Sequence, residues 1–100
     1  MLVIAGSIPI DPSKHDEVVA AATEMQRATL LEAGCSAYQF SFAVDNPAVV
    51  CIFEEWADQA ALDAHFVTPH MAVFQGQLGG IVAGRPAVTK YEIASSGPLR

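Results

Sequence analysis

Residues 54–71 read EEWADQAALDAHFVTPHM, and the fold follows from this stretch. An apolar run over residues 49–56 ends at Glu54, Glu55 and Trp56, which predicts a buried strand. Asp58 is an N-cap residue for a short helix ending near His65 or Phe66. Thr68 caps a second helix, with Pro69 at its first position and Met71, Phe74 and Leu78 on its inner face. Gly79 and Gly80 end it. Two imidazoles, a carboxylate and an indole thus come close along the chain, which suggests an apolar pocket with a proton-transfer group.

Working outward, residues 2–8 form a continuous apolar run, expected as a strand buried on both faces. Asp11-Pro12 starts a helix whose inner face carries Val18, Val19, Ala22, Met25, Gln26 and Thr29, with Gly34 as its stop. Residues 36–44 alternate, with Tyr38, Phe40, Phe42 and Val44 on one side. A turn at Asp45-Asn46-Pro47-Ala48 joins this strand to the next, and residues 87–94 form the last strand. The order is β-α-β-β-α-β, the split βαβ of an α+β ferredoxin-like domain, with the second helical region broken in two. One domain spans residues 1–94, followed by a loose tail of Ser, Gly and Pro over residues 95–100.

Composition narrows the partners. The chain is 52% hydrophobic and only 16% charged, more apolar than a core of 100 residues requires. The bare face of the sheet is therefore expected to pack on a second copy, giving a homodimer through sheet-to-sheet packing. A net charge of −6 with five basic residues argues against nucleic acid and anionic membrane surfaces. Apolar runs fall far short of the ~20 residues of a membrane span. The N-terminus lacks a basic region and reads as a strand and not a signal peptide, so a cytoplasmic location is expected. Cys51 is expected opposite Phe42 and far from Cys35, which leaves two free thiols.

Several of these residues carry a resemblance. Glu54-x-Trp56, Ala61-Leu62-x-x-His65 and Thr68-Pro69-His70-Met71, with Glu32-x-Gly34-Cys35 and Tyr38 upstream, are similar to the antibiotic biosynthesis monooxygenase family. The resemblance covers nearly the whole chain and is nearest to the bacterial quinol monooxygenases of that family. It implies a dimeric α+β barrel, a small aromatic substrate, dioxygen as co-substrate, and no metal, flavin or haem. The family also includes haem-degrading enzymes and an isomerase of a phosphorylated autoinducer. Where haem-degrading members carry Asn, Trp and an iron-ligating His, this chain has Ser7, His65 and Gln75, which argues against that branch.

The candidate residues follow from their chemistry. A deprotonated dihydroxy aromatic is rich enough in electrons to reduce oxygen itself, so the protein must exclude water, hold the ring and take a proton. His65 is the leading base, since imidazole titrates near neutral pH. His70 opens a helix whose dipole disfavours the imidazolium, and it is the second candidate. Glu54 is the third if it points inward, the alternative being an ion pair with Arg27 or Arg85. Trp56, Tyr38, Phe53, Phe66 and Phe74 are expected to wall the pocket, or else to pack the core, with Ser7 at its mouth. His65 and His70, without a clear third ligand, fall short of a metal site. No cofactor motif is present: residues 76–80 follow a helix and not a strand.

Three functions are compatible with these residues. One is a cofactor-independent monooxygenase of a small quinol or polyphenol. Another is an isomerase of a small hydroxy-ketone, disfavoured for phosphorylated substrates because Lys14, Arg27, Arg85, Lys90 and Arg100 are scattered. The last is a non-catalytic binding module.

Overall fold

The computed structural model describes all residues, 1–100. Its elements are β1 (Leu2–Pro9), a 3-10 turn (Pro12–Lys14), α1 (His15–Thr29), β2 (Cys35–Ala43), β3 (Asn46–Trp56), α2 (Gln59–Phe66), α3 (Pro69–Leu78) and β4 (Ala87–Glu92). The four strands form one antiparallel sheet in the order β2-β3-β1-β4, and the fold is the expected α+β ferredoxin-like arrangement. No helix is long and apolar enough to cross a membrane.

Register decides which side chains meet. Ile4 pairs with Glu54, Gly6 with Ile52 and Ile8 with Val50, so these share the face covered by helices. Tyr38, Phe40 and Phe42 join them through their pairing with Glu54, Ile52 and Val50. The core is Leu2, Ile4, Ala21, Met25, Tyr38, Ile52, Trp56, Leu62, Met71 and Phe74, continued by Ile8, Ile10, Val18, Val50 and Ile81. The opposite face carries Val3, Ala5, Ser7, Val49, Cys51 and Phe53.

Four local expectations are corrected. Within the single chain β1 is buried on one face only, because helices cover just one side of the sheet and any cover on the other must come from outside the chain. The hairpin turn is Val44-Asp45, with Ala43 paired to Asn46 and a register shift beside it. The Asn46 side chain accepts from the Ala48 amide, and this local bond draws residues 46–48 into the bulged start of β3. Val44 is consequently exposed at the tip, and Cys51 lies opposite Ser41. On α1 the buried stripe is Val18, Ala21, Met25 and Thr29, which leaves Val19 exposed. Both cysteines are free, as expected.

Two glycines make close approaches possible. A Cβ on Gly6 would lie 2.1 Å from the Ala87 carbonyl oxygen, so β4 docks only because that atom is missing. Gly34 has φ +84°, and a Cβ there would lie 2.7 Å from Ala61 Cβ on α2.

Candidate active site

The α2–α3 junction is built by capping. Asp58 accepts from the Ala61 amide and starts α2. Thr68 Oγ1 accepts from the Met71 amide at 3.3 Å and donates to the His65 carbonyl at 2.8 Å. One hydroxyl thus fixes the end of α2 and the start of α3, and with them the positions of His65 and His70.

The two imidazoles converge on a carboxylate. Glu32 Oε2 lies 2.7 Å from His65 Nδ1 and 2.8 Å from His70 Nε2. A carboxylate can only accept, so each ring directs an N–H at the same oxygen. Glu32 comes from the loop after α1, so three segments meet at one atom. The burial is graded: the side chain of His65 is 1% exposed, that of Glu32 14% and that of His70 23%. The Nε2 of His65 is buried without a hydrogen-bond partner.

Aromatic rings enclose His65. The Trp56 indole centroid is 4.7 Å from the imidazole, that of Tyr38 5.5 Å, and those of Phe66 and His70 6.0 Å. Glu54 points inward, its Oε1 accepting from Trp56 Nε1 at 2.8 Å. Burial raises the Glu54 carboxyl above its ordinary 4.5; the indole bond opposes this and the Glu32 charge adds to it. The alternative ion pair is absent, since Arg27 bonds Glu24 instead. Burial and the Glu54 carboxylate, its cross-strand neighbour, push the Tyr38 hydroxyl upward. Burial, with the Glu32 charge, likewise raises the Cys35 thiol to about 11, which makes it a poor nucleophile at neutral pH.

The expected chamber around His65 is filled. Trp56 is completely buried, and together with Tyr38 it occupies the space beside the imidazole. The free space lies elsewhere. A groove of about 130 Å³ between α1 and α3 is lined by Ala21, Glu24, Met25, His70, Val73, Phe74 and Gln77. A second, of about 210 Å³, runs between α1 and β2 past Gln26, Phe40 and Phe42. Between them is an apolar cavity of only about 20 Å³ beside Phe40 and Phe74, whose rings are 5.3 Å apart.

The candidates therefore separate. His65, His70, Glu54, Trp56 and Tyr38 lie together under the helices, and Phe74 and His70 border the α1–α3 groove. Phe66 packs against His65 but is largely exposed. Ser7 and Phe53 pair with Cys51 and Ala5 on the opposite face, outside any pocket beneath the helices. Neighbouring strand residues point to opposite sides, so Phe53 and Glu54 cannot face one pocket. Glu32 is the residue the sequence reading missed as a functional group. Its one signal is its place in Glu32-x-Gly34-Cys35, and its distance from His65 and His70 along the chain hides the contact.

Known proteins agree with this architecture. The family model described as antibiotic biosynthesis monooxygenase matches residues 1–77. An uncharacterised protein of Synechocystis sp., sll1783, is 31% identical over 98 residues, covering 98% of this chain and 67% of its own. A crystal structure of an antibiotic biosynthesis monooxygenase superposes with a TM-score of 0.87 at 26% identity, covering 95% of this chain and all (100%) of the other. Rv0793 from Mycobacterium tuberculosis shares the fold, with a TM-score of 0.87 at 23% identity, covering 97% of this chain and 98% of its own. The chain belongs to the antibiotic biosynthesis monooxygenase family.

Proposed function

We propose that the protein is a cofactor-independent monooxygenase of a small quinol or polyphenol. The observation that carries this reading is the Glu32 carboxylate bridging two imidazoles, one of which borders a groove. His70, with Nε2 held by Glu32, has Nδ1 left to accept a phenolic proton. The imidazolium so formed lies against a carboxylate, which stabilises it. His65 is the interior partner that fixes Glu32, so the sequence-predicted order of the two histidines is reversed. Phe74, beside His70, offers the substrate ring an apolar wall.

The quinolate then reduces dioxygen, and the two resulting radicals combine at a ring carbon. Loss of water leaves a hydroxyquinone, so that quinol plus dioxygen gives hydroxyquinone plus water. Glu54, held above the usual carboxylate range, stands ready to exchange a proton beneath this cluster. The outer sheet face is the proposed homodimer contact, supported by Phe53 and Tyr91, 43% and 50% exposed beside Val3, Ala5 and Val49. Oxygen uptake with a panel of hydroquinones, with a metal chelator present, tests the reaction. Uptake equal to the non-enzymatic rate for every quinol would refute it, and an isomerase would consume no oxygen.

A further inference from the structure

We propose that Glu32, His65 and His70 form a binding site for a divalent transition-metal ion of the zinc class. Their donor atoms, Oε2, Nδ1 and Nε2, all lie within 4.8 Å of one another. They come from the loop after α1, from α2 and from α3, so the fold and not sequence proximity assembles them. Two imidazoles with one carboxylate are the donors of a three-ligand zinc site whose fourth position stays open. Calcium and magnesium prefer oxygen donors alone, so the two nitrogens select against them.

The donors are gathered, within 4.8 Å of one another, at hydrogen-bonding and not yet at metal-ligand spacing. Ligands at the usual zinc distances in a tetrahedron stand roughly 3.3–3.6 Å apart. The two nitrogen-to-oxygen separations are 2.7 and 2.8 Å, the spacing of hydrogen bonds. Metal entry therefore requires each neutral ring to carry its proton on its other nitrogen and present a lone pair to the ion. It also moves the carboxylate back by roughly half an ångström or more and brings all three donors to that spacing. Glu32 lies in a loop outside the regular elements, and rotation of its side chain can supply that shift.

The surroundings favour capture. Both ring nitrogens of His65 are enclosed, Nδ1 on Glu32 and Nε2 without a partner, which keeps water from competing at the inner ligand. Glu32 and His70 are partly exposed, giving an ion a way in. The Thr68 hydroxyl braces the segments that carry both imidazoles. The inference rests on the donors alone and not on the oxygenation reading: an ion on His70 Nε2 leaves the ring proton on Nδ1, so the loaded chain lacks the proposed base, and the two readings are tested by different signals.

The experiment titrates the purified full chain with zinc against a chromophoric chelator and repeats the titration with cobalt(II). The expected result is one ion per chain, with a cobalt spectrum free of thiolate charge transfer. His70→Ala should weaken zinc by at least about 100-fold, beyond the loss typical of a missing outer partner. Glu32→Gln should weaken it at least about tenfold, and circular dichroism checks that both variants are folded. His15→Ala removes the remaining histidine, which is stacked on Phe42, and should leave the affinity unchanged. If Glu32→Gln does not fold, His70→Ala and the cobalt spectrum decide. Failure of the wild type to retain zinc against the chelator would overturn the proposal. So would an equal loss in His15→Ala and His70→Ala, or a thiolate band implicating Cys35 or Cys51.

Discussion

The Trp56 indole nitrogen donates to Glu54 Oε1 across 2.8 Å, two residues apart on the helix-covered face of β3. This single bond leaves the Glu54 carboxyl raised, because burial outweighs it. A carboxyl whose folded pKa exceeds its unfolded value binds more protons when folded. Its contribution to stability is complete below about 4.5 and is lost as pH rises through the higher folded value. Denaturant titrations should show wild type losing stability relative to Glu54→Gln as pH rises above about 4.5, the side of the ordinary value toward which the shift runs. A difference independent of pH would mean that Glu54 ionises normally.

Removing the Glu32 carboxylate strands two imidazole N–H groups. Glu32→Ala should lower stability by about 1–3 kcal/mol, the penalty for unpaired buried polar groups. Quinol turnover should fall at least about 100-fold, with Glu32→Asp recovering part of it. Chemical denaturation and oxygen uptake measure the two effects separately.

Gly34 links the loop bearing Glu32 to α2. Gly34→Ala forces an L side chain into φ +84° and against Ala61, one turn before His65. The backbone alone should cost about 1–2 kcal/mol, and displacement of α2 should reduce turnover as well. Gly6→Ala, by contrast, should lower stability by about 1–3 kcal/mol through a displaced β4, without direct effect on the histidine cluster.

The proposed dimer face can be tested by charge. Phe53→Asp places a carboxylate in the centre of the outer sheet face. Light scattering should show wild type at twice the chain mass and the variant at the chain mass. Two species of identical mass would show that this face is not the contact.

The helical caps were legible because each acts locally. Asp58, Thr68 and Pro69 specify where α2 and α3 begin without reference to distant residues. The ferredoxin-like arrangement followed from the element sequence, and the apolar alternation of β2 put Tyr38, Phe40 and Phe42 on one side, which the structure shows to be the helix-covered side. Side-chain direction on β3 was harder, because local polarity there misleads. Val50, Ile52 and Trp56 set the parity that turns Glu54 inward and Phe53 outward. The same parity on β1, with Leu2, Ile4 and Ile8 inward, turns Ser7 to the outer face. Glu32 could not be paired with His65 and His70 from sequence, since their meeting depends on how the loop after α1 settles against α2 and α3.

The central claim is that Glu32, His65 and His70 act as one proton-accepting unit ahead of reaction with dioxygen. Its most direct test is the rate of oxygen consumption by wild type and His70→Ala with the best hydroquinone, chelator present. Turnover in the variant should fall at least about 100-fold while its thermal unfolding stays near that of wild type. Undiminished oxygen uptake by a folded His70→Ala protein would contradict the account.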